Sequence, residues 1–295
     1  RRHGRVVLNR AVGHAWGAGP TDPPDAELIP VTVDTPYCCY SAGKGLAAAI
    51  VLHLVDRGVW SLDDRVTDYL PSYGAHGKSR TTIDHVLTHR AGVPLFTGPT
   101  PDPRRMRDSE YARSVLAELR PVYPPGTLHM YHGLTWGPIV RELVAAATGR
   151  SIRDIAADEF LAPFRYRWNN FGVAESDVPL VAPSHATGSA SPGLLDAGFR
   201  KAVGGSMEEI IPISNRPEYL TDVIPSSNLV STAFELSKFA EFLRLGGSLD
   251  GHRVLAPGTI SKAVEQRRRL RPDIATGGAP IRWGTGFMLG SKRFG

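Results

Sequence analysis

The stretch Cys39-Tyr40-Ser41-Ala42-Gly43-Lys44-Gly45-Leu46 places a serine three residues before a lysine, and the apolar run AAAIVLHLV follows at 47–55. Three readings compete: a nucleophile with its base, a fragment of a phosphate loop, or the start of an ordinary buried helix. Positions three apart share one face of a helix, so Lys44 can aim its amine at the Ser41 hydroxyl if Ser41 sits in the first turn. A serine hydroxyl needs such a neighbour to take its proton. An amine in an apolar enclosure loses charge through desolvation, which makes it a usable base. A serine at a helix start is also the commonest kind of cap, so the pair alone decides nothing. The phosphate-loop reading fails, because Gly45 stands where Ser or Thr is required and Cys38 stands where the first glycine belongs. Gly77-Lys78-Ser79 fails as well, with Ser72 at the glycine position.

A second segment, PPGTLHMYHGLTWGPIVREL at 124–143, sets a phenol, Tyr131, just before a helical pattern and after a Pro-Gly turn. Beside a lysine, such a phenol can share a proton and serve as base for the serine. Packing against Trp136 or closing a loop is the competing reading of the same tyrosine.

Composition narrows the class. The 295 residues are 42% hydrophobic and 21% charged, with 34 basic against 29 acidic side chains, and the mean hydropathy is −0.16. This is a globular chain long enough for one large domain or two fused ones. Its basic clusters, Arg1-Arg2, Arg104-Arg105 with Arg107, and Arg267–Arg269 with Arg271, lack interleaved aromatics. They read as solvated faces, and no nucleic-acid partner is expected. The adjacent Cys38 and Cys39 exclude an ordinary disulfide framework. No apolar run approaches the roughly 18–20 residues of a membrane span. The opening RRHGRVVLNRAVGHAWG reads like the inside of a domain, so the expected compartment is cytoplasmic or cell-envelope associated, with any export signal upstream.

Along the chain, Arg5–Asn9, Ala11–Ala15 and Leu28–Val33 read as strands. Helices are expected from Ser41 to about Arg57, after Ser61 up to Pro71, from Thr82 toward Gly92, and over Asp108–Leu119, Leu134–Thr148 and Ser151–Leu161. Residues 162–230 read as irregular, a helix follows Ser231 with a short one near 260, and IRWGTGFMLG at 281–290 reads as one strand. The expected fold is α/β, with residues 1–70 and 231–295 forming a discontinuous α/β domain and 71–230 an inserted, mostly helical one.

The sequence resembles the serine β-lactamase-like superfamily, which includes class C β-lactamases and D-alanyl-D-alanine carboxypeptidases, and it is most similar to the carboxylesterase and lipase branch. The likeness rests on Ser41-Ala42-Gly43-Lys44, on Leu62-Asp63-Asp64 with Tyr69-Leu70-Pro71, and on Leu87-Thr88-His89-Arg90-Ala91-Gly92. It continues through Tyr131-His132-Gly133-Leu134-Thr135 and Ile224-Pro225-Ser226-Ser227-Asn228, in the right order along nearly the whole chain. The resemblance implies an antiparallel sheet flanked by helices. It also implies that Ser41 is acylated, that Lys44 holds the proton network, and that Tyr131 is the general base. The Ser41 N–H would supply half of an oxyanion hole. A small-molecule ester or amide substrate is implied, without cofactor or metal.

Two departures bear on function. Many family members have Asn at the third position after the tyrosine motif begins, whereas Gly133 stands here, which favours ester over β-lactam hydrolysis. The family's Lys/His-Thr/Ser/x-Gly strand is expected after GTGFMLG, yet SKRFG at 291–295 contains no such triplet. The C-terminal sheet strands and half of the oxyanion hole are therefore expected to be missing from the sequence. A β-lactamase, a D-Ala-D-Ala peptidase and a catalytically silent binding protein of the same fold stay open as alternatives. His132 and Gly133, beside Tyr131, are candidates for tuning or lining the site. His89 reads as a packing residue or helix-terminal group. His85/His89 and His129/His132 lack a third ligand, so no zinc site is expected.

Overall fold

The computed structural model describes residues 1–97, 101–187, 200, 203–265, 271–273, 275 and 279–290. The fold is α/β, built from small antiparallel sheets and flanking helices. At its centre a three-stranded sheet places Leu229–Ser231 between Tyr37–Cys38 and Asn170–Phe171, with Val230 opposite both Cys38 and Asn170. A second three-stranded sheet has the order Met288–Leu289, Ala279–Trp283, Arg271–Asp273. Two-stranded ribbons pair His14–Trp16 with Ile29–Pro30 and Ser248–Leu249 with His252–Arg253.

The helix Gly43–Asp56 is buried nearly all round from Gly43 to Leu54, which is why its sequence is apolar without a polar face. Burying side chains such as Leu46 and Ile50, both 0% exposed, contributes about 1.5–3 kcal/mol each. Neighbouring helices follow from their caps. Thr82 Oγ1 accepts from the His85 N–H at the head of Ile83–Leu87, Asp108 caps Ser109–Glu118, and Thr232 caps Ala233–Arg244. Gly149, at φ 68°, closes Trp136–Thr148.

The structure corrects several local expectations. Val6, Val7 and Leu8 form no strand and are exposed, at 45%, 68% and 72%; an extended run with no pairing partner among the described residues leaves its backbone donors to water. Ser61 opens a turn, in which Asp64 Oδ2 accepts its N–H at 2.9 Å, and helix resumes only at Val66–Tyr69. Ser151–Leu161 divides into a helical turn at Ile152–Ile155 and wider, π-type turns at Ala156–Leu161. Residues 162–230 are more regular than expected, containing helices at Met207–Ser214 and Pro217–Thr221. The segment read as a single strand at 281–290 is a hairpin, because Gly286 takes φ 81° and turns Met288–Leu289 back onto Arg282–Trp283. Arg267–Arg269 and the segment after Gly290, on which the missing third element was expected, lie outside the described residues.

Candidate active site

The strand Tyr37–Cys38 stops abruptly: the Cys39 N–H donates to Leu229 O at 2.6 Å, and Tyr40 adopts a left-handed conformation at φ 45°. That conformation costs a non-glycine residue about 1–2 kcal/mol. The Tyr40 phenol is held at 2.8 Å from Ser214 Oγ. The reversal lifts Ser41 into a short 3-10 turn, Tyr40–Ala42, that runs directly into the buried helix. Ser41 is consequently exposed while Lys44, one turn on, is 6% exposed.

The helix can start this close to the sheet because position 43 is glycine. A Cβ there would lie 3.0 Å from both Leu229 Cβ and Pro225 O. Gly137 makes a second close approach, since its Cβ would fall 2.4 Å from Ser226 Oγ. The Pro225–Asn228 segment is thus wedged between the two helices, and the Asn228 side chain, accepting from Ile224 N and donating to Asp222 O, fixes its shape.

Three side chains converge. Lys44 Nζ lies 3.3 Å from Ser41 Oγ, and the Tyr131 phenol donates to the same oxygen at 2.8 Å. Lys44 also donates to Gly133 O at 3.0 Å and to Ser226 O at 2.8 Å. Two carbonyls hold two of its protons, so the third direction faces Ser41. As an ammonium Lys44 donates there, and as an amine it offers its lone pair to the hydroxyl proton. Burial pushes the Lys44 pKa below the ordinary lysine value, opposed by the charge and hydrogen bond of Tyr131.

Tyr131 is held from several sides. Its N–H donates to Asp273 Oδ2 at 2.9 Å. The Trp283 ring lies parallel to it, centroids 6.0 Å apart. The competing packing partner Trp136 instead faces Lys44 Nζ, 5.9 Å from the ring centroid. Gly133 contributes its carbonyl rather than a side chain. His132 is buried and turned away from Ser41: its Nδ1 donates to Met130 O at 2.6 Å and its Nε2 accepts the Val93 N–H at 3.2 Å. These partners fix one neutral tautomer, since a proton on Nε2 would face another donor. Asp273, Trp283 and the Ser226 carbonyl escaped the sequence reading. Among the described residues no group of three or more His, Cys, Asp or Glu is placed to hold a metal ion.

The neutral histidines make stability pH-dependent. Burial, reinforced by the Lys44 charge, pushes the His132 pKa down to about 3. Burial also drives His89 well below the usual range, helped by His132 and Lys44. In the unfolded chain both titrate near 6.5. The unfolded state therefore binds more protons between those values, and stability is full above about pH 6.5 and falls as pH drops toward 3, by up to about 1.4 kcal/mol per pH unit per histidine. Urea unfolding at pH 7.5 and pH 5 is expected to show this loss, with a shallower slope in His132→Gln. An unfolding free energy that stays constant between those pH values contradicts the neutral, buried pair.

Comparison with known proteins accords with this geometry. The beta-lactamase family model matches residues 1–295. The esterase/beta-lactamase LipL of Mycobacterium tuberculosis is 27% identical over 265 residues, covering 84% of this chain and 60% of that protein. Penicillin-binding protein 4 of Amycolatopsis lactamdurans is 30% identical over 279 residues, covering 88% and 64%. The chain thus spans less than two thirds of the length of either curated relative. The crystal structure of a family VIII carboxylesterase superposes with a TM-score of 0.76 at 26% identity, covering 88% of this chain and 68% of the other.

Proposed function

The chain belongs to the beta-lactamase family, and from that premise we propose that it cleaves carboxylic esters of small molecules through an acyl-enzyme on Ser41. The Ser/Lys/Tyr network is the serine-hydrolase arrangement typical of this superfamily. The single observation that carries the proposal is the Ser41 oxygen lying within hydrogen-bonding distance of both Tyr131 Oη and Lys44 Nζ. In the first step Ser41 Oγ attacks the ester carbonyl carbon while its proton passes to the Tyr131–Lys44 pair. The tetrahedral intermediate collapses, the C–O bond to the alcohol breaks, and the pair returns the proton to the leaving alkoxide. Water then attacks the acyl-enzyme by the reverse proton path, releasing the acid. The Ser41 N–H, at the head of the helix, is proposed as one oxyanion donor.

Gly133 favours esters over β-lactams, because it presents no side-chain amide to hold a lactam substrate. The esterase names of LipL and of the family VIII carboxylesterase point the same way. β-Lactam hydrolysis is the second reading, favoured by the other half of LipL's name and by the penicillin-binding relative. Side-by-side kinetics on p-nitrophenyl acetate, p-nitrophenyl octanoate and a chromogenic cephalosporin decide between them. A kcat/KM at least about tenfold higher for an ester is expected, equivalent to about 1.4 kcal/mol of transition-state preference. A cephalosporin preference overturns the ester assignment.

A further inference from the structure

We propose that His89 is a positioning residue for Tyr131, a role that rests on the acyl-transfer reading of Ser41. The Ile83–Leu87 helix ends just before it, and His89 takes φ 55°, a left-handed conformation that histidine and asparagine adopt more readily than most residues. That turn aims both its carbonyl and its imidazole at the backbone around Tyr131. His89 O accepts the Met130 N–H at 3.1 Å, and His89 Nδ1 accepts the His132 N–H at 3.1 Å. Its ring packs against Tyr131 with centroids 5.0 Å apart, and against Trp283 at 4.4 Å. One residue, 2% exposed, therefore holds three consecutive residues: the amides before and after the base are tied to it, and the phenol ring rests on it. The imidazole never reaches Ser41; it acts through where the Tyr131 oxygen sits.

An acceptor at the Nδ1 position is the discriminating feature, because asparagine offers Oδ1 in a similar place and tolerates the same backbone. His89→Ala leaves the His132 N–H buried without its partner and frees the phenol ring to shift. A displacement near 1 Å at a reacting group costs about 10²-fold in rate. The test compares wild type, H89A and H89N by p-nitrophenyl ester kinetics and by the rate of fluorophosphonate labelling, with thermal melts to establish that each is folded. The ζ-carbon resonance of 13C-labelled tyrosine, assigned to Tyr131 with Y131F, reports on the phenol without needing turnover. In H89A, kcat and labelling are expected to fall about 10- to 100-fold with KM within about threefold, and H89N to recover most of the loss. The Tyr131 resonance is expected to move in H89A and to return toward wild type in H89N. A folded H89A that labels at the wild-type rate overturns the assignment, as does a folded H89N no faster than H89A. Where H89A does not fold, a folded H89N labelling more than about tenfold below wild type overturns it. If wild type itself does not label, the acyl-enzyme reading fails, and the His89 assignment then stands or falls on whether the Tyr131 resonance moves.

Discussion

Replacing Ser41 with alanine is expected to lower ester kcat/KM by about 10⁴–10⁶-fold and to abolish fluorophosphonate labelling. The size follows from the proposed role: without Oγ no acyl-enzyme can form, and only binding and oxyanion stabilisation remain. The variant should stay folded, because Ser41 is exposed and surface substitutions usually change stability by less than about 0.5 kcal/mol. Lys44 keeps its two carbonyl partners, Gly133 O and Ser226 O, so the buried charge is not orphaned. Activity in S41A within tenfold of wild type removes Ser41 from the chemistry.

Tyr131→Phe should produce the second largest loss, about 10²–10⁴-fold in kcat, the range for removing a general acid–base group. The substitution removes Oη and its 2.8 Å bond to Ser41 while keeping the ring against Trp283 and His89. Tm is therefore expected to hold while kcat falls. The pH profile carries the sign of the mechanism. In the proposed mechanism Lys44 must be able to take up a proton, so kcat/KM is expected to rise with pH as its amine loses charge. Burial lowers the Lys44 pKa below the ordinary lysine value, against the opposing charge and hydrogen bond of Tyr131, so a limb set by this amine is expected below the usual lysine range. The acid limb should be lost or displaced in Y131F; an unchanged profile and a kcat within threefold of wild type would remove the phenol from proton transfer.

The Ser41–Lys44–Tyr131 cluster, the proposed nucleophile with its proton-transfer partners, was legible because its signal is local. Ser41 and Lys44 are one helical turn apart, and Tyr131 stands between a Pro-Gly turn and a helix, so chain geometry already constrained where each could point. The groups that hold them are not local. Asp273 lies 142 residues from the Tyr131 amide that it accepts, and Ser226 lies 182 residues from Lys44; nothing in either neighbourhood encodes the partner. Gly133 was legible as a departure from the family's asparagine, yet its carbonyl role was invisible, since every residue has a carbonyl. In sequence His89 reads as a packing or helix-terminal group, because a lone histidine at a helix end carries no sign of its left-handed backbone or of the amide that it accepts. The segment 281–290 reads in sequence as one strand because a turn through Gly286 looks like a glycine inside weak alternation.

The most direct test of Ser41 as an acyl-enzyme nucleophile is rapid-quench mass spectrometry during hydrolysis of a p-nitrophenyl ester. The account predicts a transient mass increase of one acyl group, mapped by proteolysis to the peptide containing Ser41 and appearing with a burst of p-nitrophenol. Turnover with no acylated protein at any quench time, or acylation mapped to another residue, would contradict it.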